Sequence, residues 1–303
     1  NPTAQVEQPT NQVVCNSDTT SIVEFATQNT GGTTTYAWTN NTPSIGLSDS
    51  GSGDILAFTA TNITTEPVVA TITVTPTFEF DGKVCDGEDK NFTITVNPTA
   101  QVDQPIDQVV YHQGTTTSVL FTTENTGGIT TYTWTNNTPS IGLSDSGSGD
   151  ILAFTAINTT STPVTAIITV TPVFENGGVV CDGENKTFTI TVNPTAQVDD
   201  IANQVVCNLD EVNVLFSTQN TSGTSIYNWT SDVEIGAGLS GTGDMNFTAT
   251  NITTAPIVAT ISVIPSFTSG GITNIGDVIS FTITVNPTAQ VDQPLDQVVC
   301  NLD

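Results

Sequence analysis

The sequence predicts an all-β chain of three tandem β-sandwich domains in an extended string, followed by the first strand of a fourth. The segment Asn-Pro-Thr-Ala-Gln-Val returns at intervals of about 95 residues, the size of one small sandwich domain. Apolar residues and threonines alternate with a period of two along most of the chain, which is typical of half-buried strands. Because the three- and four-residue apolar spacing of amphipathic helices is missing, we expect essentially no helix.

The repeat sets the domain boundaries. The recurring segment begins at Asn1, Asn97, Asn193 and Asn286. We therefore expect repeats at 1–96, 97–192 and 193–285, and the start of a further repeat at 286–303. Since the pattern runs through both ends, we expect a window of a longer array whose export and anchoring signals lie elsewhere. The linkers are short and contain proline, which predicts a semi-rigid string of about 120 Å.

Composition and charge argue against most binding and catalytic classes. The chain has 30 Asp plus Glu, 3 Lys plus Arg and 1 His, for a net charge of −27. Nucleic acid and anionic membrane surfaces are not expected partners, because both need clustered basic residues. No apolar run is long enough for membrane insertion. We expect no enzymatic activity and no cofactor, because nothing pairs a nucleophile with a base.

In the first repeat, alternation and turn residues predict about seven short strands. They lie near Gln12–Cys15, Ser21–Phe25, Thr34–Thr39, Ile55–Ala60, Val68–Thr77 and Asn91–Val96, with a weak strand near Ile45–Ser48. Predicted turns separate them at Asn29–Gly32, Ser50–Gly53 and Asp81–Gly82. Seven short strands with a tryptophan on the third are typical of an immunoglobulin-like sandwich.

One tryptophan occupies the same place in each repeat, at Trp38, Trp134 and Trp229. Each follows a tyrosine by two residues, so the two rings lie on the same face of a strand. We expect each tryptophan to fill the core, with Phe58, Phe154 and Phe247 packed nearby. An exposed platform for sugars is the alternative.

Several strings of the repeat are familiar, among them Val-Val-Cys-Asn, Tyr-x-Trp-Thr, Ala-Thr-Ile-Thr-Val-Thr-Pro and Phe-Thr-Ile-Thr-Val-Asn-Pro. The chain resembles the PKD-like, immunoglobulin-like repeats of giant cell-surface proteins of Bacteroidota, which the type IX secretion system exports and which include SprB-like mobile gliding adhesins. The resemblance covers all three repeats. It implies a structural segment of an extracellular filament or adhesin stalk at the cell surface, acting in cell adhesion or gliding motility.

The partners expected from this resemblance are neighbouring repeats of the same long chain, with a surface or glycan ligand at a distal tip. Two alternative functions remain open. One is an array of carbohydrate- or protein-binding modules, and the other is a non-catalytic spacer of a large secreted enzyme.

The cysteines fall at two positions of the repeat. The first position holds Cys15, Tyr111, Cys207 and Cys300, and the second holds Cys85, Cys181 and roughly Asn274. Joining the first position of one repeat to the second position of the next pairs Cys15 with Cys181 and sets Tyr111 against Asn274. This rule leaves no unmatched cysteine inside the chain, since Cys85, Cys207 and Cys300 would then pair with repeats beyond it.

The order of strands favours the same pairing. In a head-to-tail string of immunoglobulin-like sandwiches, the turn with the first position abuts the loop with the second position of the next repeat. We therefore predict a Cys15–Cys181 bridge across the first joint. A Cys15–Cys85 bridge within the repeat and free thiols are the alternatives. Either bridge implies an oxidising, extracellular setting.

Two further sites are candidates. The turns Asp49–Asp54 and Asp145–Asp150 place two carboxylates around small residues, so Asp49, Asp54, Asp145 and Asp150 are candidate Ca²⁺ ligands, with a solvated turn as the alternative.

Asp18-Thr19-Thr20 resembles the short O-glycosylation signal of Bacteroidota, which would place a sugar on Thr19. Asn-x-Thr sequons are frequent, for example at Asn40, Asn62, Asn91, Asn136 and Asn246. His112 is expected to be a turn residue rather than a ligand.

Overall fold

The computed structural model describes residues 2–297, and nearly all of its regular structure is β-strand. The first repeat contains β1 Gln12–Cys15, β2 Thr33–Asn40, β3 Ser50–Ser52, β4 Val68–Phe80, β5 Lys83–Asp86 and β6 Lys90–Asn97. The second contains β7 Gln108–Tyr111, β8 Ile129–Asn136, β9 Ser146–Ser148, β10 Val164–Asn176, β11 Val179–Asp182 and β12 Lys186–Asn193. The third contains β13 Gln204–Cys207, β14 Glu211–Val214, β15 Thr224–Ser231, β16 Ser240–Thr242, β17 Met245–Thr248, β18 Ile257–Ser269, β19 Ile272–Ile275 and β20 Ile279–Asn286.

Each repeat contributes one large sheet with the same topology. In the first repeat the order is β1-β6-β4-β2-β3, and β5 pairs with the far end of β4. The long strand β4 has 13 residues, and it pairs along its length with β2 on one side. On the other side it pairs first with β6 and then with β5. Because β1 runs parallel to β6, the first strand of each repeat ends beside the residue at which the next repeat begins.

A smaller layer covers the other face of each core. In repeat 1 it consists of two extended segments joined by isolated bridges, Thr19 to Thr59 and Val23 to Ile55. Between those bridges the Phe58 amide donates to the Thr20 hydroxyl at 3.1 Å, so a side-chain bond interrupts the ladder. The predicted strands Ser21–Phe25 and Ile55–Ala60 are therefore paired but not continuous. In repeat 3 both segments are one residue shorter, and β14 and β17 form an unbroken ladder.

Two local predictions for the first repeat were wrong. The weak strand expected near Ile45–Ser48 is absent from the described structure, where Pro43–Ile45 forms a short 3-10 helix that ends at Gly46. Proline at its start and a left-handed glycine (φ 95°) at its end favour this turn over a strand. The loop expected to contain the second cysteine position is instead strand β5, in which Cys85 pairs with Phe78.

The tryptophans fill the cores, as predicted. Trp38, Trp134 and Trp229 are 7%, 7% and 6% exposed. Each ring lies against a glycine of the neighbouring short strand, for example Trp38 opposite Gly51. A Cβ atom at Gly51 would lie 2.1 Å from Cζ2 of Trp38, so only glycine fits there. The predicted turn at Ser50–Gly53 thus contains a strand whose glycine makes room for the core tryptophan.

The surface area indicates a string of separate domains. The accessible surface of the chain is 16973 Å². A single compact protein of 31.6 kDa would expose about 12,100 Å², whereas three separate domains of one third that mass would expose about 16,300 Å². The repeats therefore share little surface, and the fold is a tandem array of immunoglobulin-like sandwiches.

Candidate functional site: the joint between repeats

The feature that recurs from repeat to repeat is the joint. Each repeat has two ends. We call the end at which the chain enters the repeat the leading face, and the end at which the chain exits it the trailing face. The trailing face of repeat 1 contains Val13, Cys15, Thr65 and Asn97. The leading face of repeat 2 contains Asn125, Thr126, Asn176, Gly177 and Cys181. The β10–β11 hairpin of repeat 2 lies against β1 of repeat 1.

A disulfide joins these two faces. Cys15 of β1 bonds to Cys181 of β11, with a Cα–Cα distance of 5.6 Å and a sequence separation of 166 residues. Cys181 is only 2% exposed. The structure thus contains the cross-joint bridge and not the alternative bridge within the repeat, since Cys85 is free. Cys207 is also free, and Cys300 lies outside the described residues.

Two asparagines form the centre of the first joint. The Asn97 side-chain amide donates to the Asn176 main-chain carbonyl at 3.0 Å, and the Asn176 amide donates back to Asn97 Oδ1 at 2.9 Å. Asn97 is fully buried. Next to this pair, Gly177 (φ 61°) packs against Val13, and a Cβ atom there would lie 3.0 Å from a Val13 methyl group. The buried reciprocal bonds fix the hairpin against the trailing face.

A second contact holds the joint at another point. The Thr126 amide donates to the Thr65 carbonyl at 2.9 Å. The neighbouring Asn125 side chain donates to Thr65 and to Thr99, linking both repeats to the linker between them. Because two separate elements of repeat 2 contact repeat 1, bending that moves either element away from repeat 1 breaks polar contacts.

The second joint repeats this geometry without the disulfide. The Asn193 amide donates to the Ser269 carbonyl at 2.8 Å, and Thr221 N donates to Ser161 O at 3.1 Å. Tyr111 and Asn274 occupy the two cysteine positions, as the pairing rule requires. Ser269 stands where Asn176 does in the first joint. Among the described residues, Asn193 Oδ1 is consequently a buried acceptor without a donor.

The candidate Ca²⁺ carboxylates have structural partners. Asp54 Oδ1 accepts a hydrogen bond from the Phe25 amide at 2.9 Å, and Asp150 Oδ1 accepts one from Phe121 at 2.9 Å. Asp49 and Asp145 contact the adjacent serine hydroxyls at 3.4 and 3.3 Å. Within residues 2–297 no three His, Cys, Asp or Glu side chains come together as a possible metal site. The Ca²⁺ hypothesis stays a prediction.

The candidate glycosylation residue and several sequons differ in accessibility. Thr19 is exposed, which fits a modified residue, but the sugar itself stays a prediction. Asn40, Asn62 and Asn136 are buried, and their side-chain amides donate to main-chain carbonyls. In these sequons the threonine hydroxyl or amide completes a local turn around the asparagine, as Thr64 does with Asn62 Oδ1 at 2.7 Å. These motifs are turn elements of the fold.

His112 has a structural role that the sequence did not reveal. Its Nδ1 accepts a hydrogen bond from the main-chain N–H of Asn158 at 3.0 Å. In repeats 1 and 3 the same bond is accepted by the side-chain oxygens of Asn16 and Asn208. His112 therefore replaces an asparagine as the acceptor that holds the following loop.

Comparisons with known proteins add the following. No protein-family model and no curated protein matches this chain. The chain is similar to mouse cadherin-23 EC22-24, with 13% identity over 95% of this chain and 99% of that one and a TM-score of 0.43. It is similar to three N-terminal domains of the bacteriophage RB49 highly immunogenic outer capsid protein, with 14% identity over 95% and 99% and a TM-score of 0.42. It is also similar to Drosophila N-cadherin EC1-4, with 12% identity over 94% and 74% and a TM-score of 0.37.

Proposed function

We propose that this chain is a structural segment of a long extracellular filament or adhesin stalk. The observation that carries the proposal is that one joint geometry, with the same asparagine and threonine contacts, occurs between repeats 1 and 2 and again between repeats 2 and 3. A repeated, specific joint gives each repeat a fixed direction relative to the last. Such an array supplies reach, which a catalytic protein would not need.

The covalent bond across the first joint supports an extracellular role. Disulfides persist in oxidising compartments and are rare in the reducing cytosol. The Cys15–Cys181 bridge closes a joint rather than a core, so its main effect is on the angle between repeats. In the described residues no helix has the length and apolar character needed to cross a membrane.

The narrower identity comes from the sequence motifs. On the resemblance given above, we place the chain among the surface adhesins of Bacteroidota that the type IX secretion system exports, with a role in adhesion or gliding. Deleting the repeats from the chromosomal gene of the source organism would test this. Loss of gliding or attachment supports the narrower role, and unchanged movement and attachment contradict it.

Small-angle X-ray scattering of the isolated chain tests the stalk proposal directly. The central strand of each repeat has 13 residues, so one repeat is about 40 Å long and three are about 120 Å. A rod of that length and about 25 Å width has a radius of gyration of about 36 Å, against about 19 Å for a compact protein of this size. A measured value near 19 Å would contradict the proposal.

A further inference from the structure

An open groove lies between two segments of repeat 2 that touch at both ends and diverge between them. At one end Ala100 forms a bridge with Gly183. At the other end the Gln104 side-chain amide donates to the Thr187 carbonyl at 2.8 Å. The groove has a volume of about 330 Å³, within the range of small-molecule sites. Its walls include Gln101, Val102, Asp103, Glu184 and Lys186.

Repeat 1 has a groove of the same construction. The Gln8 side-chain amide donates to the Asn91 carbonyl at 2.7 Å, as Gln104 does in repeat 2. The volume is about 360 Å³, and Glu88 and Lys90 stand in the places of the glutamate and lysine of repeat 2. The chain has only 3 Lys plus Arg, so two of its three cations lie in these two grooves.

The lysine of each groove occupies a core-facing position of its strand. Lys186 is the first residue of β12, and Phe188 and Ile190, which share its face, are buried. In repeat 3 the same position holds Ile279, which packs against the apolar core together with Ile201. An aliphatic side chain therefore suits this position, and the lysines of repeats 1 and 2 require a reason other than stability.

Neither lysine has a partner inside the protein. Among residues 2–297, Lys90 and Lys186 make no ion pair and no side-chain hydrogen bond. Both side chains are half-buried. A half-buried ammonium group loses part of its hydration, and here no protein acceptor offsets that loss. The N–H donors of both lysines are thus available to a bound molecule.

We infer that each groove binds a neutral sugar residue of a glycan, with the lysine donating hydrogen bonds to the sugar hydroxyls and the acidic side chains accepting hydrogen bonds from them. This inference goes beyond the proposed stalk function and does not depend on it. It makes the segment a binding array as well as a spacer.

The groove of repeat 2 presents donors and acceptors side by side. Lys186 supplies ammonium N–H donors, and Glu184 supplies a carboxylate. The main-chain amides of Gln101 and Asp103 bond to other parts of the repeat, so the Val102 main chain between them faces the groove. A polyhydroxylated ring matches this mixture because every hydroxyl both donates and accepts. Hydrogen bonds to the charged groups are the strong ones.

Charge and lining argue against other classes of ligand. The groove of repeat 2 has two acidic side chains, Asp103 and Glu184, for one lysine, and the chain carries a net charge of −27, so an anionic ligand is repelled. In the described part of the chain no three His, Cys, Asp or Glu side chains gather around a possible metal position. Val102 is buried, so an apolar ligand would find little apolar surface in the groove.

Binding of the full chain to an array of immobilised glycans tests the inference. The array contains neutral and acidic polysaccharides and the glycans of glycoproteins, which separates these two sources of sugar. The double variant Lys90→Ile and Lys186→Ile places in both grooves the residue that repeat 3 has. Lys83→Ile removes the same charge from an exposed position of β5 outside the grooves and serves as the control. Urea titration measures the stability of each variant.

We expect the wild type and the control to bind at least one neutral glycan. Each single lysine variant should bind about tenfold more weakly, because one of two linked sites is lost, and the double variant should lose binding altogether. Its free energy of unfolding should be unchanged or higher, since isoleucine packs at this position in repeat 3. If the isoleucine pair is less stable than the wild type, Lys90→Met with Lys186→Met replaces it, because methionine keeps the unbranched chain without the charge.

Three results would overturn the inference: no binding to any neutral glycan, binding confined to acidic glycans, or full binding by a folded double variant. X-ray scattering of the same samples reports on the stalk proposal separately. An elongated chain that binds no glycan contradicts only the inference about the grooves.

Discussion

Removing the bridge across the first joint should destabilise two repeats and spare the third. The bridge is removed by the double substitution Cys15→Ala and Cys181→Ala. Chemical reduction of the wild-type chain removes the same bond without a substitution and serves as a second sample. The bridge closes a loop of 166 residues. In the chain-entropy account this constraint on the unfolded state is worth about 5 kcal/mol. For a cooperative unit of about 190 residues, a loss of that size lowers the midpoint of thermal unfolding by about 10–20 °C.

Hydrogen exchange read out by mass spectrometry at rising temperature separates the three repeats. Peptides from β4 and β10 should lose protection at lower temperature in the variant, whereas peptides from β18 serve as an internal control because repeat 3 lies outside the closed loop. If the β4 and β10 peptides kept their wild-type midpoints, the loop argument would be refuted. An equal fall in all three repeats would show that the substitutions act on general packing.

Three further predictions concern the second joint, the core and the tyrosines. Ser269→Asn should restore a donor to the buried Asn193 Oδ1 and raise the free energy of unfolding of repeats 2 and 3 by about 1 kcal/mol, measured by urea titration. Gly51→Ala should place a methyl group 2.1 Å from Trp38 and cost repeat 1 about 1–3 kcal/mol by the same method. Burial raises the pKa of Tyr36, and the opposing hydrogen bond with a threonine is the smaller effect. Above pH about 10 the unfolded chain loses the phenol proton while the folded chain keeps it. The contribution of Tyr36 to the free energy of unfolding is therefore complete below pH about 10 and falls as the pH rises further. Tyr36→Phe should make that fall shallower, measured by urea titrations at successive pH values.

Each of these variants has a matched control. Asn176→Ser removes from the first joint the bond that Ser269→Asn adds to the second, and it should lower stability by a similar amount. Ser52→Ala changes the residue beside Gly51 without touching the tryptophan, and a loss as large as that of Gly51→Ala would contradict the steric explanation. The difference in the free energy of unfolding between the Tyr36→Phe and wild-type chains should be the same at pH 7 and at every lower pH tested.

Much of the fold follows from the period-two pattern. The strands predicted near Gln12–Cys15, Thr34–Thr39 and Asn91–Val96 match β1, β2 and β6 to within one residue at each end. Their burial alternates, as in Phe92 to Val96, because one face packs in the core. The short strands β3 and β5 were not predicted, since their Ser-Gly-Ser and Lys-Val-Cys-Asp sequences have turn-like composition. Pairing with β2 and β4 decides their conformation, and this pairing is a tertiary effect.

The joint was predictable in part. Comparing the cysteine positions between repeats led to the Cys15–Cys181 pairing, because a replaced cysteine must be matched by a replaced partner. The Asn97–Asn176 pair could not be found in this way, since the chain contains many asparagines and their partners lie far apart in sequence. A signal was present in hindsight. Asn97 and Asn193, which open the second and third Asn-Pro-Thr-Ala-Gln-Val segments, lie at the buried ends of β6 and β12.

Under a pulling force along the array, the two joints would differ in strength. Repeats 1 and 2 are tied covalently at Cys15 and Cys181, whereas repeats 2 and 3 hold together through hydrogen bonds around a buried oxygen without a donor. Tension would therefore separate the second joint first, before any sandwich loses its strands. Tyr111 and Asn274, which stand at the two cysteine positions of the second joint, thus determine which joint separates first. In a longer array, the number of such joints without a disulfide would determine how far it extends under force.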